Sequence, residues 1–156
     1  MRKIVITKSL KETQSLGKEI ALNLKNGGIV CLSGDLGAGK TTFAQGLLKG
    51  LKVKGPYTSP TFLIMKHYQK EITKSKNQIT NKAQNTKHKT QNIYHIDAYR
   101  VGAKDVLNIG WEEIVADKNN VIIIEWAERI KKIISKQTLW IKFEWIDENK
   151  RKIIIK

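Results

Sequence analysis

Apolar and polar positions along this chain follow two rhythms, one with a period near two and one near 3.6. Residues 2–6 run into β-branched side chains and predict a short strand. Leu16, Ile20 and Leu24, with Ala21 between them, recur at helical spacing. Ser9, followed three residues later by Glu12, gives that helix a capping-box start, and Gly27-Gly28 predicts its end. Residues 28–33 are almost continuously apolar, the pattern of a strand buried on both faces. Phe43, Leu47, Leu48 and Leu51 form a second helical stripe, with Gly50 near its end. Residues 52–61 hold Gly55, Pro56, Thr58, Ser59 and Pro60 and predict a loop, and residues 62–68 a strand leaving it.

The pattern then lapses. Residues 69–92 are built almost wholly from Lys, Asn, Gln, Thr and Ser, with Ile72, Ile79 and Ala83 too sparse to bury a face. That composition predicts a disordered or mobile surface insertion. Beyond it, residues 93–99 predict a strand. Val106, Leu107, Ile109, Trp111, Ile114 and Val115 predict one or two short helices, and residues 121–125 a buried strand ending on Glu125. Residues 127–134 suit a helix. Residues 139–146 and 151–156 suit two strands around Asp147-Glu148-Asn149-Lys150, an antiparallel hairpin. Strands alternating with helices indicate an α/β sandwich.

The chain has 156 residues, the size of one domain, and 40% apolar residues, enough for a packed core. A single cysteine, Cys31, excludes an internal disulfide and a Cys-rich metal site; its apolar neighbours suit a small buried hydrophobe. No apolar run approaches a membrane span or a signal-peptide core, so the expectation is a cytoplasmic protein with no membrane partner. The formal net charge of +15 suggests a polyanionic neighbour such as tRNA. Lys, Asn and Ile are abundant everywhere, however, and neither an Arg-rich stripe nor an aromatic stacking motif accompanies the charge.

Candidate chemistry sits between the first buried strand and the second helix. Gly34-Asp35-Leu36-Gly37-Ala38-Gly39-Lys40-Thr41 matches G-x-x-x-x-G-K-[ST] at every fixed position, in the strand–loop–helix setting that the motif requires. Gly37 and Gly39 let the backbone curl so that N–H groups converge on phosphates, and the helix that follows adds its positive end. Lys40, read as an exposed loop lysine, reaches the β- and γ-phosphates. The Thr41 hydroxyl is a hard ligand for Mg²⁺, and Thr42 reaches the α-phosphate. The fold expected is therefore a single domain over residues 1–156. It is a P-loop NTPase-like sandwich with a mostly parallel central sheet, helices on both faces and a C-terminal antiparallel hairpin.

Such a site needs a further acid to hold Mg²⁺ or position water. Glu125 is the first candidate, at the end of an apolar strand, and Asp97 the second, also after a strand; which of them orients the water stays open. Thr61 is the first choice for a hydroxyl that closes on the γ-phosphate, and Ser59 the second. The guanine-reading Asn-Lys-x-Asp element is absent, which favours ATP over GTP.

With these residues assembled, the chain resembles the bacterial TsaE (YjeE) family over residues 4–146. The likeness rests on four motifs in order: the loop from Gly34 through Thr42 and Phe43, Ser59-Pro60-Thr61-Phe62, His95-Ile96-Asp97-Ala98-Tyr99-Arg100, and Ile124-Glu125-Trp126. The resemblance implies a Mg²⁺-dependent ATPase required for threonylcarbamoyl modification of adenosine 37 in tRNAs reading ANN codons. It implies work with the TsaB–TsaD pair, docked in the ATP state, and contact with tRNA only through that pair. It assigns Mg²⁺ to Thr41 and Glu125, a functional role to Asp97 and the switch role to Thr61. The insertion at residues 69–92 and the sequence of residues 52–57 depart from the family pattern. A P-loop small-molecule or nucleoside kinase is the competing reading, and a nucleic-acid-binding module a third. A kinase usually brings an Arg-bearing lid, and the insertion holds no Arg.

Overall fold

Ser9 caps the first helix as its spacing predicts: its Oγ accepts the Glu12 N–H at 3.1 Å, while Glu12 reaches back to the Lys8 N–H at 2.7 Å. A cap of this kind is worth about 1 kcal/mol. The computed structural model describes residues 2–72 and 89–156. In chain order it places β1 (Lys3–Thr7), α1 (Leu10–Ala21), β2 (Gly28–Ser33), α2 (Lys40–Gly50), β3 (Met65–Ile72) and β4 (Lys89–Asp97). There follow α3 (Ala103–Asn108), α4 (Trp111–Ala116), β5 (Val121–Glu125), β6 (Leu139–Trp145) and β7 (Arg151–Ile155).

The strands form one seven-stranded sheet in the order β1-β7-β6-β2-β5-β4-β3. Its middle, β6-β2-β5-β4, is parallel, and both margins are antiparallel. The continuous apolar runs fall where they must. Every residue of β5 is buried, and Ile122, Ile123 and Ile124 each contribute roughly 1.5–3 kcal/mol of burial. One core joins α1 and α2 to Val30, Leu32, Ile123 and Phe143. The other joins α3 and α4 to Cys31, Ile96, Ile122 and Ile124, so helices cover both faces. Burial pushes the Cys31 thiol up to about 12, which keeps it an inert hydrophobe.

Helix α1 approaches α2 unusually closely. A Cβ on Gly17 would stand 2.5 Å from the Phe43 carbonyl oxygen, and one on Gly46 would stand 2.2 Å from that of Gln14. Both helix glycines therefore serve the contact that seats α2 on the sheet.

Three expectations change. Residues 69–72 and 89–92, expected within a disordered insertion, are paired strand: Gln69 faces Asn92, and Ile72 faces Lys89. Polar composition did not prevent this, because the ladder satisfies the backbone. Gln91 is buried, and its amide donates to the carbonyls of Leu24, Lys25 and Asn119, at 3.5, 3.1 and 2.9 Å. The remainder of that expected insertion lies outside the described residues. Second, the strand expected at residues 62–68 begins only at Met65, which leaves Phe62 and Leu63 exposed in a turn. Third, the helix expected at residues 127–134 is a kinked 3-10 segment, Ala127–Ile133. Ala127 and Ile130, its buried residues, are three apart, the spacing that a 3-10 turn stacks on one side.

Candidate nucleotide-binding site

Strand β2 ends at Ser33, and the chain turns through the glycine-rich loop into α2, whose first residue is Lys40. Gly39 makes that entry possible with a left-handed φ of 105°. Lys40 is not the exposed loop residue that the sequence suggested: it is 4% exposed. Its ammonium donates to the carbonyl oxygens of Gly34 and Asp35, at 2.6 and 2.8 Å. It also lies 3.7 Å from the centre of the Trp126 ring. Burial pushes the Lys40 ammonium below its usual range, while the negative charges of Glu125, Glu128, Asp35 and Asp97 oppose the shift.

Beside it, the Thr41 hydroxyl donates to Glu125 Oε2 at 2.6 Å. Glu125 closes β5 and is 1% exposed; its Oε1 lies 2.8 Å from His95 Nε2. Asp97, directly across from Glu125 on β4, gathers the second set of contacts. Its Oδ2 accepts the hydroxyls of Ser59 and Thr61 at 2.7 and 2.6 Å, and its Oδ1 accepts the Tyr99 N–H at 2.9 Å. Thr41 Oγ1 and Glu125 Oε2 are adjacent hard oxygens. Mg²⁺ commonly takes one or two such protein ligands and completes its shell with water and phosphate oxygens, so this pair suits it.

A cleft of about 270 Å³ joins these groups. It is lined by Leu36, Gly37, Gly39, Lys40, Thr41, Thr42, Thr61, Asp97 and Glu125, together with Leu10, Tyr99, Trp126 and Arg151. Residues singled out from four separate stretches of sequence thus meet in one place. Asp35 and Ala38 stand apart: Asp35 is exposed and contributes its carbonyl to Lys40, and Ala38 is wholly buried under the loop. Sequence reasoning gave no role to His95, Trp126, Tyr99, Arg151 or Leu10. His95 carried a signal, since it lies two residues before Asp97 on a strand and so shares its face. Trp126 carried one by adjoining Glu125; its backbone is left-handed, φ 58°, in a residue other than glycine. Arg151 and Leu10 had none, because only tertiary packing brings β7 and the start of α1 to the loop.

The family model for "Threonylcarbamoyl adenosine biosynthesis protein TsaE" matches residues 7–153. The tRNA threonylcarbamoyladenosine biosynthesis protein TsaE of Aquifex aeolicus is 37% identical over 155 residues, covering 98% of this chain and 95% of that protein. Its counterpart from Rickettsia typhi is 35% identical over 95% of this chain and 90% of its own length. That of Treponema pallidum is 30% identical over 96% and 97%. The crystal structure of YdiB from Bacillus subtilis superposes with a TM-score of 0.67 at 26% identity, covering 99% of this chain and 84% of that one. Among the described residues no helix is long and apolar enough to cross a membrane. A nucleotide-type loop, two acids at neighbouring strand ends and this full-length similarity agree: the chain belongs to the TsaE family of tRNA threonylcarbamoyladenosine biosynthesis.

Proposed function

We propose that the protein is the Mg²⁺-dependent ATPase subunit required for threonylcarbamoyl modification of adenosine 37 in tRNAs reading ANN codons. It acts in the cytoplasm with TsaB and TsaD, and meets tRNA through that pair. The observation that carries this reading is the convergence of Lys40, Thr41, Glu125, Asp97 and Thr61 on one cleft.

The loop N–H groups and the start of α2 take the phosphates of ATP. Lys40 exchanges its bonds to Gly34 and Asp35 for the β- and γ-phosphates. Thr41 and Glu125 would hold Mg²⁺, which would supply positive charge to offset the charge of the phosphates in the transition state. Glu125 or Asp97 orients the attacking water. Thr61, bonded to Asp97, reports the γ-phosphate to residues 58–64, where exposed Phe62 and Leu63 form an apolar face for TsaB–TsaD.

The kinase alternative has less support. Of the arginines in the described residues only Arg151 lines the cleft, and its Nη1 bonds carbonyls of its own hairpin turn.

The deciding experiment measures ATP hydrolysis with and without TsaB–TsaD and across a panel of phosphoryl acceptors. Protein capture in ATP-analogue, ADP and empty states accompanies it. Stimulated hydrolysis and ATP-dependent capture are expected. Transfer of phosphate to an acceptor overturns the reading in favour of a kinase. Tight tRNA binding that survives high salt, without capture of TsaB–TsaD, overturns the partner assignment.

A further inference from the structure

Glu125 is fixed from two directions, and only one of them faces the nucleotide. On the cleft side, Oε2 accepts the Thr41 hydroxyl. On the opposite oxygen, Oε1 meets His95 Nε2 at 2.8 Å, with His95 fully buried on β4. A carboxylate only accepts hydrogen bonds, so Nε2 carries the proton and donates it. The other ring nitrogen, Nδ1, is buried and has no hydrogen-bond partner among the described residues. A buried polar ring nitrogen without a partner costs the fold free energy that an aliphatic side chain at this position would not. The Ile residues at 93 and 96 show that this strand readily takes such side chains.

We propose that His95 is a positioning residue for Glu125, donating from Nε2 to hold the carboxylate with Oε2 turned to the cleft. The inference rests on the reading of Glu125 given above. The two bonds to Glu125 have different fates in that reading. A Thr41 oxygen that held the metal would no longer be committed to its bond with Oε2. The His95 bond lies outside the cleft and persists. Glu125 has three side-chain torsions, and without the Thr41 bond, His95 supplies the remaining side-chain hydrogen bond to it among the described residues. Partners of this kind orient a ligand without touching substrate.

The test compares His95→Gln, His95→Asn and His95→Leu with Glu125→Ala. A glutamine amide nitrogen reaches about as far as imidazole Nε2; an asparagine amide stops nearer the position of Nδ1. His95→Gln is expected to stay near wild type. His95→Asn and His95→Leu are expected to lower kcat by about 10–100-fold with KM nearly unchanged. In binding titrations with a non-hydrolysable ATP analogue, the Mg²⁺ concentration for half-saturation rises in those two variants. Analogue affinity without Mg²⁺ and the thermal melt stay close to wild type. Wild-type behaviour of His95→Asn and His95→Leu overturns the proposal. So does equal loss in all three variants with lowered melts, which assigns His95 to packing. If His95→Leu does not fold, the Gln–Asn pair decides. If Glu125→Ala hydrolyses ATP normally, the reading of Glu125 itself falls; if it is inactive while the His95 variants are active, only the positioning role falls.

Discussion

The glycine-rich loop and residues 58–64 face the same cleft but are held by different means. The loop grows directly out of β2 and into α2, with Ala38 and Phe43 wholly buried beneath it and Lys40 tied back to its own carbonyls. Residues 58–64 have no strand or helix of their own. Ser59 and Thr61 fix them to one carboxylate, Asp97, while Phe62 is 85% exposed and Leu63 68%. Ile64, where the segment ends, is left-handed at φ 64°, which costs a β-branched residue roughly 1–2 kcal/mol. The loop is thus anchored by burial, whereas residues 58–64 are held mainly by hydrogen bonds: Ser59 and Thr61 to Asp97, the Lys66 ammonium to the Thr58 carbonyl, and the Asp97 N–H to the Ile64 carbonyl. Such a segment can rearrange without disturbing the core.

The loop should fail completely when its charge is removed. Lys40→Ala is expected to weaken ATP binding on the order of 100-fold or more, since charged hydrogen bonds contribute roughly 1.5–3 kcal/mol each. The melt should change little, because the buried ammonium already bears a desolvation cost. Calorimetric titration beside a melting curve checks both, and unchanged affinity would remove the phosphate assignment. Glu125→Ala should lower kcat by about 100-fold while ATP affinity changes far less, as expected for a group acting on the transition state. Single-turnover hydrolysis with a separate binding titration makes the distinction.

The segment should fail in another way. Thr61→Ala leaves the loop intact and removes one bond to Asp97, worth roughly 1.5 kcal/mol at the low end for a bond to a charged group. ATP-dependent capture of TsaB–TsaD should weaken about tenfold, with ATP affinity near wild type. An equal loss of ATP affinity would show that both regions act as one unit. The smallest effect belongs far from the cleft. Ile72 and Lys89 are directly paired, so replacing residues 73–88 with an Asn-Gly turn should shift Tm by no more than about 4 °C. A large loss of Tm would show that those residues contribute to the core.

What the sequence determined by itself is what depends on neighbours along the chain. The loop motif, its flanking buried strand and helix, the Ser9 cap and the C-terminal hairpin all follow from local spacing, and the structure places them so. The four motifs that mark the family were also legible, because each is contiguous. Composition misled at residues 69–72 and 89–92, since a ladder can pair polar strands without an apolar face to bury. Only the tertiary structure decided that Lys40 is buried under Trp126, that His95 backs Glu125, and that Arg151 from the last strand lines the first loop. Those contacts join residues tens of positions apart. Their geometry is set by sheet order and by α1 resting closely on α2, and no periodicity along the chain encodes which strand lies beside which.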